Sequence, residues 1–151
     1  MADLNSINTD HLMEIDEIKA ILNLYDEAKR YIESFDWCSI TIDCWYDKDY
    51  SLYDKLAVFL FHIQPINVDV DDYIWIIVGD LPSVYLDKSI KNGKEALQVY
   101  CDLMSEWSDN VKNSRSITDS YPVDANPTIK NADLLDIRIS LIKSEILLDN
   151  R

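Results

Sequence analysis

Few residues in this chain have the type and spacing that chemistry requires. Its two histidines are His11 and His62, and its three cysteines are Cys38, Cys44 and Cys101. No cysteine pair has zinc-ligand spacing and no histidine stands near a cysteine, so a structural zinc site cannot be written. On one strand Cys38 and Cys44 would lie about 20 Å apart at ~3.3 Å per residue, too far for a disulfide. An odd number of scattered thiols fits a reduced protein that packs Cys as a small apolar side chain. No serine sits in a Gly-x-Ser-x-Gly elbow, the strained turn that presents a nucleophilic hydroxyl. A pairing of His62 with Cys44 or Cys101 is the one nucleophile–base combination left open. Gly79 and Gly93 are the only glycines, which leaves no glycine-rich phosphate cradle. Asp47-Lys48-Asp49 and Asp69-Val70-Asp71-Asp72 offer oxygens but lack the central Gly and terminal Glu of a calcium loop, and read as solvated carboxylates. The expectation is a binding protein rather than an enzyme, with no catalytic residue, cofactor or metal.

The charge is lopsided. Residues 1–87 hold 18 Asp and Glu against 5 Lys and Arg, whereas residues 88–151 hold 10 against 9. Nearly all of the net −14 therefore lies in the first part, with three of the four tryptophans. Such a field repels nucleic acid and anionic membrane and steers basic surfaces toward the chain. Lys88, Lys91 and Lys94 cluster, but they offset nearby acids and make no basic stripe. The polar, acidic N-terminus has no signal-peptide pattern. The apolar runs Leu56–Ile63 and Tyr73–Val78 are shorter than the ~20 residues that span a bilayer. These features lead to the expectation of one cytoplasmic domain over residues 1–151.

The elements that would position a site follow from periodicity. Ile18, Ile21, Tyr25, Ala28, Ile32 and Phe35 step 3, 4, 3, 4, 3 and predict a helix over 10–35, capped by Thr9 or Asp10 with Glu14 in its first turn. Cys38, Ile40, Ile42, Cys44 and Tyr46 alternate with Ser39, Thr41, Asp43 and Trp45, which predicts a strand with one wet face. A polar, tyrosine-rich turn follows over 47–54. The runs 55–63 and 73–78 read as strands covered on both faces, with an acidic loop over 64–72 between them. Gly79-Asp80-Leu81-Pro82 reads as a tight turn into a short strand over 83–86. Asn92 predicts a cap for a helix in which Leu97, Tyr100, Met104, Trp107 and Val111 step 3, 4, 3, 4. After a loop over 113–127, Thr128 predicts the cap of a last helix carrying Leu135, Ile139, Ile142 and Ile146. The fold class is therefore α+β: an N-terminal helix, a mainly antiparallel sheet of three to four strands, and two C-terminal helices over its faces.

Aromatic residues among acids remain. Tyr and Trp supply interface hot spots, and ionised Asp accepts charge-assisted bonds from Arg or Lys. The candidate partner-binding residues are Asp43, Trp45, Asp47, Asp49, Tyr50, Asp54, Asp69, Asp71 and Asp72. The bland alternative is a hairpin whose rings fold back onto the core.

The block Trp75-Ile76-Ile77-Val78-Gly79-Asp80-Leu81-Pro82-Ser83-Val84-Tyr85-Leu86 resembles one in a family of small, acidic, uncharacterised bacterial proteins. The likeness continues through Glu95–Tyr100, the Met104 and Trp107 helix, Tyr121-Pro122 and the last helix around Arg138, about Ala57 to Leu147. Proteins of this kind resemble the immunity proteins of bacterial toxin systems, which bind and block a toxin domain. The resemblance implies a basic protein partner, a cognate toxin domain, and supplies no catalytic residue. The 45–54 hairpin falls outside the matched stretch, which suits a partner-specific surface and equally an unconstrained loop. The alternatives are a homo-oligomeric housekeeping or regulatory domain pairing through an exposed sheet edge, and an acidic DNA mimic.

Overall fold

The computed structural model describes residues 15–52, 55–67, 71–118, 123 and 125–147. The predicted caps Thr9 and Asp10, His11, Glu14, and the site candidates Asp54 and Asp69 lie outside them. The order of elements is α1 (Ile15–Glu33), β1 (Cys38–Tyr46), β2 (Leu56–Pro65), β3 (Tyr73–Gly79), β4 (Val84–Leu86), α2 (Gly93–Lys112) and α3 (Ile129–Ile142). The strands form one antiparallel sheet in the order β1-β2-β3-β4. This is the expected α+β arrangement.

The alternation of β2 decides the layering. Ala57, Phe59, Phe61 and Ile63 point to one face, where they meet Ile21, Tyr25, Ala28 and Ile32 of α1. Leu56 and Val58 point to the other, where they join Leu97, Tyr100, Met104 and Trp107 of α2 and Leu135, Ile139 and Ile142 of α3. Two apolar layers thus sandwich the middle strands, which is why their sequences are almost continuously apolar.

Local chemistry sets the joints. Past Glu33 the Ser34 and Phe35 N–H groups bond the Tyr31 and Ile32 carbonyls three residues back at 3.2 Å, the Ser34 hydroxyl also donates to the Tyr31 carbonyl at 2.6 Å, and the turn places Phe35 against Trp37 and Tyr85 instead of on the helix stripe. The β1–β2 connection is tied by Ser51, whose hydroxyl donates to the Asp47 carbonyl at 2.6 Å and accepts the Val58 N–H at 3.0 Å. Gly79 closes β3 with φ of 144°, and Tyr100 donates to the Pro82 carbonyl at 2.8 Å, holding the 79–82 turn to α2. The caps of the last two helices are as predicted: Asn92 accepts the Glu95 N–H at 2.9 Å, and Thr128 accepts the Asn131 N–H at 3.2 Å.

The expectation for β1 needs correction. Register shifts between Cys38 and Ile40, and between Thr41 and Asp43, break its period of two. Cys38, Cys44 and Tyr46 are buried, but Ile40 and Ile42 are each 51% exposed. Each bulge adds a residue and turns the following side chains over. An apolar stripe meant for the core therefore emerges on the surface.

Candidate partner-binding face

α2 and α3 cover only part of their face of the sheet. Two cross-strand rows run over the remainder. Trp45 pairs with Leu60, Leu60 with Trp75, and Trp75 with Leu86; Asp43 pairs with His62, and His62 with Tyr73. Trp75 is nearly buried and fixed, its indole N–H donating to the Ile90 carbonyl at 3.0 Å. The other rings stack on one another: His62 on Tyr73 at 4.6 Å with planes 7° apart, and Trp45 on Tyr73 at 6.3 Å and 27°. Trp45 is still 38% exposed and Tyr73 37%. Ile40 and Ile42 extend this apolar surface along β1, and exposed Ile66 stands at the end of β2. β1 is one of the sheet's two edge strands and pairs only with β2 among the described strands. Rings stacked before binding lose little freedom when a partner covers them.

At the turn end of β1 the face opens into a groove of about 310 Å³, lined by Trp45, Tyr46, Asp47, Lys48, Asp49, Leu60 and Trp75. Two indoles and two carboxylates, set against the single ammonium of Lys48, can hold a guanidinium or ammonium group through cation–π attraction and charge-assisted hydrogen bonds. Asp47 also has a structural task. Its carboxylate accepts the Asp49 N–H at 3.1 Å, capping the short 3-10 turn Lys48–Tyr50. It also lies against Gly93 at the start of α2, where a Cβ would come within 1.8 Å of its Oδ2.

The structure thus gathers Asp43, Trp45, Asp47 and Asp49 at one edge of the sheet. Tyr50 turns toward the α2–α3 core and is partly buried against it. Asp71 and Asp72 precede Tyr73 and face Lys88, whose Nζ lies 3.9 and 3.8 Å from their carboxylates. Asp71 also accepts the Lys88 N–H at 3.1 Å, so it joins β3 to the segment after β4. Tyr73, His62, Ile40 and Ile42 are not among the partner-binding candidates that the sequence suggests. A signal exists for His62, a polar residue between buried Phe61 and Ile63; Tyr73 shares its parity with buried Trp75 and Ile77 and is exposed as the first residue of its strand, and nothing marks the bulged isoleucines.

Thiol chemistry finds no support. Cys44 sits among the α1-facing core residues, on the opposite face of the sheet from His62. Burial, and then the neighbouring Asp43 charge, push its thiol well above the ordinary range. Burial also raises Cys38, with Glu33 adding to it, and takes Cys101 up to about 11. Protonated, buried thiols are poor nucleophiles and poor ligands. Among the described residues no three metal-ligating side chains cluster, and no helix is long and apolar enough to cross a membrane.

A scan of the chain against protein-family models finds no match, and searches of curated proteins and of solved structures find none either.

Proposed function

We propose that this chain is a binding protein for a basic protein partner, and that it acts in the manner of an immunity protein, neutralising a basic toxin domain by direct association. The observation that carries the binding reading is the uncovered Trp45–Tyr73–His62 stack, continuous with exposed Ile40 and Ile42 and with a groove that two carboxylates and two indoles line. An Arg or Lys of the partner enters the groove while apolar side chains cover the stack. The net charge of −14 draws such a partner in from a distance. The toxin-directed form rests on the resemblance of the 75–86 block to a family of small, acidic bacterial proteins that in turn resemble immunity proteins.

The test uses the purified chain as bait in a lysate of its source organism at low salt. Wild type is expected to retain a basic protein that leaves as salt rises, because screening shortens the reach of the field. The Asp43→Lys/Asp49→Lys variant is expected to lose that protein while keeping its fold. The same set of proteins on both baits would refute the reading.

A further inference from the structure

α3 is apolar on two sides. Ala132, Leu135, Ile139 and Ile142 are buried against the sheet and α2. Leu134, Ile137 and Leu141, stepping 3 and 4, form a second stripe on the outside, where Ile137 is 67% exposed. Three large apolar side chains together on the solvent side of a helix mark a surface that a partner can cover. Beside this stripe the 80–82 turn leaves two shallow grooves of about 150 and 110 Å³, and Arg138 lines both.

Charge narrows the choice of what covers it. Residues 129–147 carry Lys130, Arg138 and Lys143 against Asp133, Asp136 and Glu145. This segment is neutral, so the net −14 resides elsewhere in the chain. The field that draws a basic partner to β1 has nothing to select here. A second copy, repelled by like charge at most other approaches, meets no net charge on this helix.

The order of residues along the stripe points the same way. Read outward in both directions from the bond between Ile137 and Arg138, positions 134 and 141 are both Leu, and positions 130 and 145 are Lys and Glu. Glu145 is exposed and lines a groove with Leu141. Past α3, residues 143–147 continue as one π-helical turn that carries Glu145. In an antiparallel pair about a two-fold axis at that centre, Leu134 of one copy opposes Leu141 of the other, and Lys130 faces the π-helical turn that carries Glu145. Ile137 then seats between Leu134 and Leu141, with the aliphatic stem of Arg138 beside it.

We infer that the chain forms an isologous homodimer through antiparallel α3 helices, held by Leu134, Ile137 and Leu141 and set in register by Lys130 and Glu145. This inference does not depend on the proposed binding face, and its test needs no partner. Sedimentation equilibrium on the full chain, up to about 0.5 mM as suits a small, weak interface, is expected to show a monomer–dimer equilibrium. The dimer tightens as salt rises, because screening removes repulsion between two acidic copies. Ile137→Asp raises its Kd at least tenfold with unchanged circular dichroism, since the side chain is not part of the core. Lys130→Glu weakens the dimer, and Lys130→Glu/Glu145→Lys restores it. A wild-type chain that stays monomeric, a dimer indifferent to Ile137→Asp, or a double exchange that fails to restore it would each overturn the inference.

Discussion

Asp47 supports the β1–β2 connection as well as lining the groove, and a double-mutant cycle with Gly93 separates the two. Asp47→Ala removes the cap on the Asp49 N–H, about 0.5–1 kcal/mol for one hydrogen bond, and a carboxylate at the positive end of α2, about 0.3–1 kcal/mol. The expected loss is about 1–2 kcal/mol. Gly93→Ala attacks the same contact from the other side. Its Cβ would lie 1.8 Å from Asp47 Oδ2 but 3.3 Å from Asp47 Cβ, so the carboxylate swings away and the backbone stays. The wild-type background then loses most of the Asp47 contribution, offset by about 0.5 kcal/mol from the smaller entropy of an unfolded chain with Ala in place of Gly. With Asp47 already Ala, only that offset remains, and Gly93→Ala stabilises. Urea titrations of the four proteins should give a coupling of about 1–1.5 kcal/mol, and the effect of Gly93→Ala should change sign between backgrounds. Equal effects in both would refute the contact with Gly93 and leave Asp47 only its cap on the Asp49 N–H and its place in the groove.

Gly79→Ala should destabilise by about 3 kcal/mol or more in the same titration, because φ of 144° strains any L side chain and its Cβ would meet the Lys55 carbonyl oxygen at 2.0 Å. Asp136 joins α2 to α3: its carboxylate lies 2.7 Å from the buried Ser108 hydroxyl and 2.5 Å from Lys112 Nζ. Burial raises its pKa, but the hydrogen bonds from Lys112 and Ser108 and the Lys112 charge outweigh it and hold the carboxyl below its ordinary 3.8. A depressed folded pKa contributes stability above the unfolded value and loses it as pH falls through the folded one. The urea midpoint of wild type should therefore fall more steeply than that of Asp136→Asn between about pH 5 and about pH 2. Thiol reagents at neutral pH should leave Cys38, Cys44 and Cys101 unmodified in the native protein and modify all three in urea, since all are buried; rapid native labelling would contradict the packing described.

What the sequence disclosed was local. The caps at Asn92 and Thr128 and the buried steps of α2 and α3 depend on residues within a turn or two, and they stand as read. Strand identity in β2 and β3 was equally legible, because cover on both faces makes most of their positions apolar, His62 and Gln64 lying toward the open end of β2. The surface was harder to read. Ile40 and Ile42 look like core residues until two bulges, fixed by pairing with β2, turn them outward. The second stripe of α3 sat unread beside the first, because an apolar residue at 134, 137 or 141 satisfies a helical pattern whichever side is buried. Asp47 meets Gly93 across 46 positions, a proximity no spacing rule contains. Charge suggests the class of partner proposed above, and the sheet's incomplete cover suggests the face proposed to meet it.

The central claim is tested most directly by a photo-crosslinking amino acid at Ile40, an exposed position on the binding face, with the same probe at exposed Asn23 on α1 as control. After irradiation in the source cell, the expected result is a covalent adduct with a basic protein from position 40, absent in the Asp43→Lys/Asp49→Lys background, and none from position 23. No adduct at position 40, or the same adduct from both positions, would contradict it.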